Sequence, residues 1–339
     1  MEFEDYLQAF RGGTNLTRSQ ATDFLNNILD DKNLTDAKIA EALTLLTKKN
    51  PTVEEVCGLV DSMRARMLHV ETPDRVIDTC GTGGDKLGTF NISTAAAILL
   101  AAGGAAVAKH GNRAVTSLAG SADVLEALGI PIDLEPEAAA KALVDHKFVF
   151  LFARQYHPSM KSLAQIRRQL GFPTVFNLLG PLLNPAATKR QVIGTFNLEN
   201  AELLAQVMAK LNYQHGIVLT SEDGLDEASL SAPVHLFEIK QGVITEMRLR
   251  ASDYGLEPAS TSDLEGADAA HNAKLVVGSL RPPASEELNA HQRVVVLNAG
   301  LGFYVAGQTP TLQAGIQKAI KVLASGAAAA KLTELKVKK

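Results

Sequence analysis

The segment from Arg75 to Lys109 reads RVIDTCGTGGDKLGTFNISTAAAILLAAGGAAVAK. It begins with a short strand pattern, Arg75 to Thr79, which runs into a glycine-rich loop and then into an apolar helix that starts near Ser93. Gly103-Gly104 stops this helix, and a second strand pattern follows from Ala105 to Lys109. This order is typical of a βαβ unit with parallel strands and a right-handed crossover.

The alternation of strand and helix patterns continues to Thr220, and a hairpin and a C-terminal helical stretch follow. We predict helices over 135–145, 158–170, 199–211 and 312–335, strands over 148–152, 191–196 and 217–220, and a hairpin of strands over 234–239 and 243–249. The sequence therefore predicts an α/β domain with a largely parallel central sheet.

The first part of the chain has a different pattern. Roughly 70 residues show the apolar spacing and the capping signals of short helices. Thr17 with Gln20, and Thr52 with Glu55, fit the capping box, in which two side chains satisfy free backbone amides. Cys57 falls on an apolar helical face, so we expect it in the core. This helical layer is predicted to serve in packing and dimerisation.

The composition limits the classes of protein to which this chain could belong. The 339 residues suggest one or two domains, and 33 basic against 37 acidic residues give a net charge of -4. An acidic balance argues against a nucleic-acid-binding protein. The longest apolar run, 95–108, contains two glycines and is shorter than the roughly 20 residues of a membrane span. Two cysteines and no signal-peptide pattern predict a cytoplasmic protein without membrane attachment.

Glycine is concentrated where chemistry is expected. Nine of the 26 glycines lie between Gly81 and Gly129. A glycine loop that leads into a helix start at Asn91 offers free amides and a positive dipole end to an anion such as phosphate. The Walker A and dinucleotide-binding spacings are both absent. On this pattern alone, the loop could equally be a simple connector between strand and helix.

A second loop follows the next predicted strand. Lys109-His-Gly-Asn-Arg113 leaves the strand end, and Ser117, Gly120 and Ser121 lead into another helix start at Asp123. In open α/β sheets, ligands bind at the carboxyl ends of the strands. Either basic residue alone would be a solvated charge, but two adjacent polar loops predict a polyphosphate or phosphosugar site.

An acidic run follows the predicted strand over 217–220. Glu222, Asp223, Asp226 and Glu227 place four carboxylates in six residues. Mg²⁺ prefers oxygen ligands and often bridges one or two carboxylates to phosphates. The alternative is an acidic surface turn, because charge runs are usually solvated.

A fourth feature combines Tyr156-His157-Pro158 with Gln165-Ile-Arg-Arg168. Arg167 and Arg168 lie about 100° apart around a helix, so we expect only one of them to face a site. An arginine fork binds carboxylates well. For His157, capping or packing is the favoured interpretation over catalysis.

At these residues the sequence resembles the anthranilate phosphoribosyltransferase family, and the resemblance spans nearly the whole chain. The matching motifs, which occur in this order, are Gly81-Thr-Gly-Gly-Asp85, Asn91-Ile-Ser-Thr94, Lys109-His-Gly-Asn-Arg113, Gly120-Ser-Ala-Asp123, Val175-Phe-Asn-Leu-Leu-Gly-Pro181 with Asn184-Pro185, and Gly224-Leu-Asp-Glu227. Each motif is modest alone, but the ordered set is highly specific.

The resemblance implies a two-domain fold and an activity. A small, mainly N-terminal helical domain, 1–70 with a contribution from about 165–185, would join a larger α/β domain, 71–339. The chain would be a homodimer through its helical part. It would use Mg²⁺ to transfer phosphoribose from phosphoribosyl pyrophosphate (PRPP) to the amine of anthranilate, which is the second step of tryptophan synthesis from chorismate.

The resemblance also assigns site residues by position. Metal falls to Ser93, Asp226 and Glu227. Anthranilate falls to Gly81, Asn112 and Arg167, with His110, Tyr156 and His157 lining its approach. PRPP falls to Gly81, Gly84, Asp85, Thr89, Asn91, Ile92, Ser93, Thr94, Lys109, His110, Gly111, Asn112, Arg113, Ala114, Val115, Thr116, Ser117 and Ser121.

Two other functions stay open at this point. A pyrimidine nucleoside phosphorylase on a related scaffold would use phosphate as the nucleophile. A non-catalytic relative would keep the scaffold and bind nucleic acid. The loop from Lys109 to Arg113 and the pair Asp226 and Glu227 favour the phosphoribosyltransferase over the first, and the net charge of -4 disfavours the second.

Overall fold

The computed structural model describes residues 1–73, 75–114, 118–285 and 287–337. Four short helices open the chain: α1 (Phe3–Arg11), α2 (Arg18–Asp30), α3 (Asp36–Lys48) and α4 (Val53–Arg64). The capping boxes predicted at Thr17 and Thr52 are both present, each with the hydroxyl accepting a backbone N–H three residues on. Cys57 is fully buried in this layer, as predicted.

The remaining elements form the α/β part. The strands are β1 (Val76–Gly81), β2 (Ala106–Gly111), β3 (Phe148–Phe152), β4 (Arg190–Gly194), β5 (His215–Ser221), β6 (Val234–Lys240) and β7 (Val243–Leu249). The helices are α5 (Ile92–Ala102), α6 (Ser121–Ala127), α7 (Pro136–His146), α8 (Ala153–Tyr156), α9 (Lys161–Leu170), α10 (Phe176–Leu179), α11 (Leu198–Lys210), α12 (Ala269–Ser279), α13 (Ala290–Val305), α14 (Leu312–Ala324) and α15 (Ala327–Leu335).

The seven strands form one sheet in the order β3-β2-β1-β4-β5-β6-β7. The first five strands of this order are parallel, and β6 and β7 are antiparallel to their neighbours. The predicted α/β class with a mostly parallel sheet is therefore confirmed. Because parallel strands end at the same edge, the loops after β1, β2, β4 and β5 meet there.

Two large hydrophobic clusters cover the sheet. The apolar run over 95–108 forms α5 and β2, as predicted, and α5 is buried in one cluster together with α13 and α14. The other cluster joins the four N-terminal helices to α11 and to buried residues of the 163–183 region. Leu163, Ile166 and Phe176 belong to the same cluster as Phe24 of α2. This packing supports the expected contribution of 165–185 to the helical domain, whose boundaries stay a prediction.

Two predicted helices are interrupted. The helix predicted over 158–170 begins with a 3₁₀ turn, Pro158–Met160, before α9. The stretch 312–335 forms two helices because Gly326 adopts φ 80°, a left-handed conformation that ends α14 and reorients the chain. Among the described residues, no helix combines the length and the apolar character needed to cross a membrane.

Candidate active site

Three neighbouring parallel strands, β1, β2 and β4, each end on a glycine, at Gly81, Gly111 and Gly194. At each of them, another chain segment occupies the space of a side chain. A Cβ on Gly81 would lie 2.3 Å from Oδ2 of Asp226, and one on Gly194 would lie 1.6 Å from the backbone oxygen of Asp226. A Cβ on Gly111 would lie 2.2 Å from Oγ of Ser121. These glycines allow the loops of the site to cross directly over the strand ends.

The first glycine loop contacts the acidic run. The Gly83 N–H donates to Oδ2 of Asp226 at 2.7 Å, across the end of β4. Gly83 and Gly84 have φ values of 70° and 91°, which glycine adopts without strain. Asp85 accepts from the Leu87 N–H at 3.3 Å. Further along, Thr89 forms an isolated antiparallel bridge with Glu265, which anchors the loop before α5.

The start of α5 lies beside this loop. Its N-cap, Asn91, makes no side-chain cap hydrogen bond, and its amide nitrogen donates instead to the Ala119 carbonyl at 3.2 Å. The Ser93 N–H donates to Oε1 of Glu227 at 3.0 Å. The side chain of Ile92 is buried, so only its backbone could face a ligand. Thr94 is buried too, and its hydroxyl makes no hydrogen bond within the described parts of the chain.

Lys109 extends from β2 toward the start of α5 and is 1% exposed. Its Nζ donates to the Thr79 carbonyl at 2.6 Å and to Oγ of Ser93 at 3.2 Å. The sequence predicted a basic residue at this edge, and the structure buries it beside the β1 end. Burial raises the pKa of Asp78 to about 6, and the charge of Lys109 opposes this rise. The two hydrogen bonds fix the Lys109 ammonium group between the end of β1 and the start of α5.

The loop after β2 has two parts. His110 is buried, and its Nε2 lies 3.2 Å from Nε2 of His157. Burial lowers the pKa of His110 to about 3 and that of His157 to about 4, so both rings are neutral near pH 7. Asn112 is exposed, and its backbone oxygen accepts from Oγ of Ser121 at 3.4 Å. Tyr156, expected to line the acceptor's approach, is buried and donates its hydroxyl to the Leu134 carbonyl at 2.6 Å.

Asp123, at the start of α6, organises the second part of this loop. It accepts from the Ala114 N–H at 2.9 Å and from the Gly120 N–H at 3.0 Å. Arg113 donates to Asp123 at 2.9 Å and to Glu126, so its guanidinium is held by carboxylates of α6. The predicted residues Val115, Thr116 and Ser117 lie outside the described residues.

The acidic run divides into two pairs. Glu222 is exposed, forms an ion pair with Arg248, and lies 3.1 Å from Nε2 of His235. Asp223 accepts from the hydroxyls of Ser229 and Ser231. Glu222 therefore faces β6 and β7, and Asp223 stabilises the end of the loop, so neither carboxylate faces the glycine loop.

Asp226 and Glu227 face the glycine loop and α5 and are half-buried. The interpretation of the run as a solvated surface turn therefore does not apply to this pair. Desolvation raises the pKa of Asp226 well above its ordinary value, and repulsion from Glu227 and Asp85 adds to the rise. Desolvation raises the pKa of Glu227 to about 7, against the attraction of Lys109.

The donor atoms here suit a hard divalent cation. Two carboxylates lie beside the Ser93 hydroxyl and Asp85, and all of these donors are oxygens. No group of three or more His, Cys, Asp or Glu residues that could hold a metal ion occurs in the described ranges. Two carboxylates with further oxygen donors beside them fit Mg²⁺, which proteins bind through one or two carboxylates plus substrate phosphates.

Arg167 and Arg168 differ as the helical spacing predicts. Arg168 is exposed, whereas Arg167 is partly buried with its guanidinium 5.2 Å from the centre of the Phe176 ring. Burial lowers the pKa of Arg167, which has no carboxylate partner among the described residues. A half-buried guanidinium on an aromatic face is suited to a planar carboxylate ligand.

Several residues under the site were not predicted. Asp78 accepts from the His110 N–H, from Nδ2 of Asn184 at 2.8 Å and from Nε2 of Gln191 at 3.1 Å. The sequence did offer a signal for Asp78, since a carboxylate inside the strand pattern Arg75 to Thr79 would be buried and would need hydrogen-bond partners. Asn272 and Asn298, on α12 and α13, contact the site loops from behind.

Known proteins are similar to this chain over nearly its whole length. Residues 4–67 match the helical bundle domain of a glycosyl transferase family, and residues 73–329 match its a/b domain. The chain is 43% identical over 332 residues to the anthranilate phosphoribosyltransferase of Bacillus pumilus, which covers 98% of this chain and 96% of the relative. It is 41% identical over 339 residues to that of Chlorobium chlorochromatii, covering 99% and 95% of the two chains.

Solved structures agree with these matches. The anthranilate phosphoribosyltransferase of Thermus thermophilus superimposes with a TM-score of 0.90 at 37% identity, over 98% of each chain. That of Saccharomyces cerevisiae in complex with PRPP and Mg superimposes with a TM-score of 0.87 at 27% identity, over 98% of this chain and 96% of that one. The sequence, the fold and the site together show that this chain belongs to the anthranilate phosphoribosyltransferase family.

Proposed function

We propose that this chain transfers the phosphoribosyl group of PRPP to the amine of anthranilate, giving N-(5-phosphoribosyl)anthranilate and pyrophosphate in tryptophan biosynthesis. Family membership over the full chain supports this activity. The observation that carries it is the convergence of four elements at one sheet edge. The loop at Gly83, the start of α5, Lys109 and the pair Asp226 and Glu227 are linked by direct hydrogen bonds.

The diphosphate and the ribose phosphate of PRPP would lie against the first two loops. Backbone amides of the glycine loop and of the α5 start offer donors to phosphate oxygens. Lys109 adds a positive charge that is already fixed in place. The proposed PRPP residues are Gly81, Gly84, Asp85, Thr89, Asn91 to Thr94, Lys109 to Ser117 and Ser121.

Mg²⁺ would be held by Ser93, Asp226 and Glu227, with phosphate oxygens completing its shell. When bound, it would neutralise charge on the pyrophosphate leaving group. The yeast relative in complex with PRPP and Mg supports this assignment. For this chain, the observation in its favour is the oxygen-only donor set around two carboxylates that repel each other.

Anthranilate would lie between Arg167 and Asn112, close to Gly81. Its carboxylate matches the fork of Arg167, which is half-buried on Phe176. The exposed amide of Asn112 is available to the same ligand. The neutral imidazoles of His110 and His157, which lie 3.2 Å apart, would line the ligand's approach and offer a donor and an acceptor without net charge.

The chemistry of the acceptor suggests the course of the reaction. The aryl amine is a weak nucleophile because its lone pair is delocalised into the ring. We therefore infer early breaking of the bond between C1 and pyrophosphate, with positive charge developing on the ribose. Lys109 and the helix-end amides would stabilise the departing charge. Arg167 would position the amine below C1. No dedicated general base is assigned, and the low pKa values of His110 and His157 make both weak bases.

The test is consumption of anthranilate by the purified chain, followed by its fluorescence. Loss of fluorescence should require both PRPP and Mg²⁺, and a chelator should stop it. Phosphorolysis of pyrimidine nucleosides and salt-dependent binding of single-stranded DNA test the two alternative functions. Phosphorolysis without PRPP-dependent anthranilate consumption would overturn the proposal.

Two further expectations belong to this proposal. We propose a homodimer through the N-terminal helical layer and a cytoplasmic location, without nucleic-acid or membrane partners. Light scattering coupled to size-exclusion chromatography should give about twice the 36.1 kDa chain mass. A monomer at micromolar concentration would contradict the dimer.

A further inference from the structure

The acidic loop, residues 221–229, is held from behind by one side chain of α13. Asn298 is 4% exposed, and its Oδ1 accepts from the Ala228 N–H at 2.9 Å. Its Nδ2 donates to the Ala228 carbonyl at 3.1 Å and to the Val294 carbonyl, one helical turn back, at 2.9 Å. The bond to Val294 fixes the plane of the amide on the helix. The other two bonds hold both polar backbone groups of Ala228.

The position of Ala228 makes this contact informative. It follows Asp226 and Glu227 directly, so movement of its backbone moves both carboxylates. Oγ of Ser221 adds internal ties, because it donates to the Glu227 carbonyl at 2.7 Å and accepts from the Ser229 N–H at 3.1 Å. Across the site, the carboxylates of Asp226 and Glu227 accept from the Gly83 and Ser93 N–H groups. Asn298 instead connects the loop to a largely buried helix in the core of the α/β part.

The electrostatics of the loop call for such a clamp. Asp226 and Glu227 are adjacent in the chain, half-buried, and held against the glycine loop and the start of α5. When both carboxylates are charged, their mutual repulsion favours movement of the loop away from Gly83. Hydrogen bonds to uncharged backbone oppose the movement and add no charge to the site. Holding charges where they repel is a form of preorganisation, because the ligand then meets a finished site.

We propose that Asn298 is a positioning residue, which holds Asp226 and Glu227 in the geometry that binds the divalent cation with PRPP. This inference rests on the proposed function. It is specific to Asn298, because the same helix carries a second buried amide that does not contact the site. Gln292 is 3% exposed, accepts from the Asn289 N–H and donates to the Arg281 carbonyl at 3.0 Å.

Gln292 therefore provides the matched control. Asn298→Ala and Gln292→Ala each remove a buried amide with backbone partners from α13, so both should lower the melting temperature to a similar degree. Asn298→Asp is a second variant in case the alanine variant does not fold. It keeps the shape and an acceptor for the Ala228 N–H but loses both donated bonds.

The first readout is binding of Mn²⁺ in the presence of PRPP, measured by electron paramagnetic resonance of the free ion. We expect Asn298→Ala and Asn298→Asp to weaken Mn²⁺ binding at least tenfold, with Gln292→Ala within threefold of the unmodified protein. The half-saturating Mg²⁺ concentration for anthranilate consumption should rise in parallel. In an Asp226→Asn background, the effect of Asn298→Ala on Mn²⁺ binding should fall below threefold, because both changes act on one loop.

Unchanged Mn²⁺ binding in both Asn298 variants, or equal weakening in Gln292→Ala, would overturn the inference. Full additivity with Asp226→Asn would do the same. These outcomes differ from failure of the proposed function, which would appear as an unmodified protein that consumes no anthranilate with PRPP and Mg²⁺.

Discussion

Replacement of Gly194 by alanine tests whether the acidic loop must lie directly on the end of β4. The new Cβ would lie 1.6 Å from the Asp226 backbone oxygen and 2.5 Å from its carbonyl carbon. Side-chain carbons essentially never come within 3.0 Å of such atoms, so the loop must retreat by about 1.4 Å. Backbone, unlike the end of a flexible side chain, cannot rotate away.

That retreat is larger than the hydrogen bonds of the loop can absorb. The bonds from Gly83 to Asp226 and from Ser93 to Glu227, at 2.7 and 3.0 Å, would both be lost. A misplacement of about 1 Å at a reacting centre lowers rates roughly 100-fold, which corresponds to about 2.7 kcal/mol. We therefore expect Gly194→Ala to reduce kcat/KM for PRPP by roughly 100-fold or more. Overpacking should also lower stability by about 1–3 kcal/mol.

Gly216→Ala is the control for adding a methyl group to a buried strand glycine away from the site. Its Cβ would meet the terminal methyl carbon of Met208 at 2.4 Å, in the core and at the other end of β5. The assay is anthranilate fluorescence at varied PRPP, with urea unfolding of both variants. Gly194→Ala within threefold of the unmodified kcat/KM, or an equal loss in Gly216→Ala, would refute the steric argument.

Three further predictions concern the site. Arg167→Ala should reduce kcat/KM for anthranilate roughly 10- to 100-fold, with a smaller effect on the KM for PRPP. Arg168 is exposed, so Arg168→Ala should leave both quantities within threefold. Equal losses for both substrates in Arg167→Ala would indicate a structural role. Asp226→Asn should lower kcat at least roughly tenfold, with partial rescue by higher Mg²⁺, and full activity at low Mg²⁺ would remove it from the metal site. His110 and His157 have lowered pKa values in the folded protein, so acidification below the unfolded pKa near 6.5 favours the unfolded chain. His157→Gln should therefore recover about 2 kcal/mol of the free energy of unfolding that is lost between pH 7.5 and pH 5, as measured by urea titration. An unchanged loss would contradict the burial of the two rings.

Several features of the site could be predicted because local sequence carries them. The glycine loop, the start of α5 and Lys109 each follow a strand pattern, and parallel strands must end at one edge. The acidic run was visible in the sequence as four carboxylates within six residues. Its division into outward Glu222 and inward Asp226 was not, since the partners Arg248 and Gly83 come from distant segments. The name of the acceptor came from resemblance and not from the residues themselves.

The sequence by itself determined the order and type of most elements up to β7, whereas α12 and α13 were not predicted and the stretch 312–335 divides at Gly326. Capping at Thr17 and Thr52, apolar periodicity and glycine stops are interactions over a few residues, and they are readable without the fold. The sequence also determined which loops would carry chemistry.

Only the tertiary structure decided how those loops are held together. The partners of the site lie far apart along the chain: Asp78 meets Asn184, His110 meets His157, and Ala228 meets Asn298. A buried polar group needs a hydrogen-bond partner, but neither periodicity nor composition shows which residue that partner is. That choice depends on the packing of α13 and the strand ends, because a hydrogen bond forms only between groups that the whole fold brings within about 3 Å of each other.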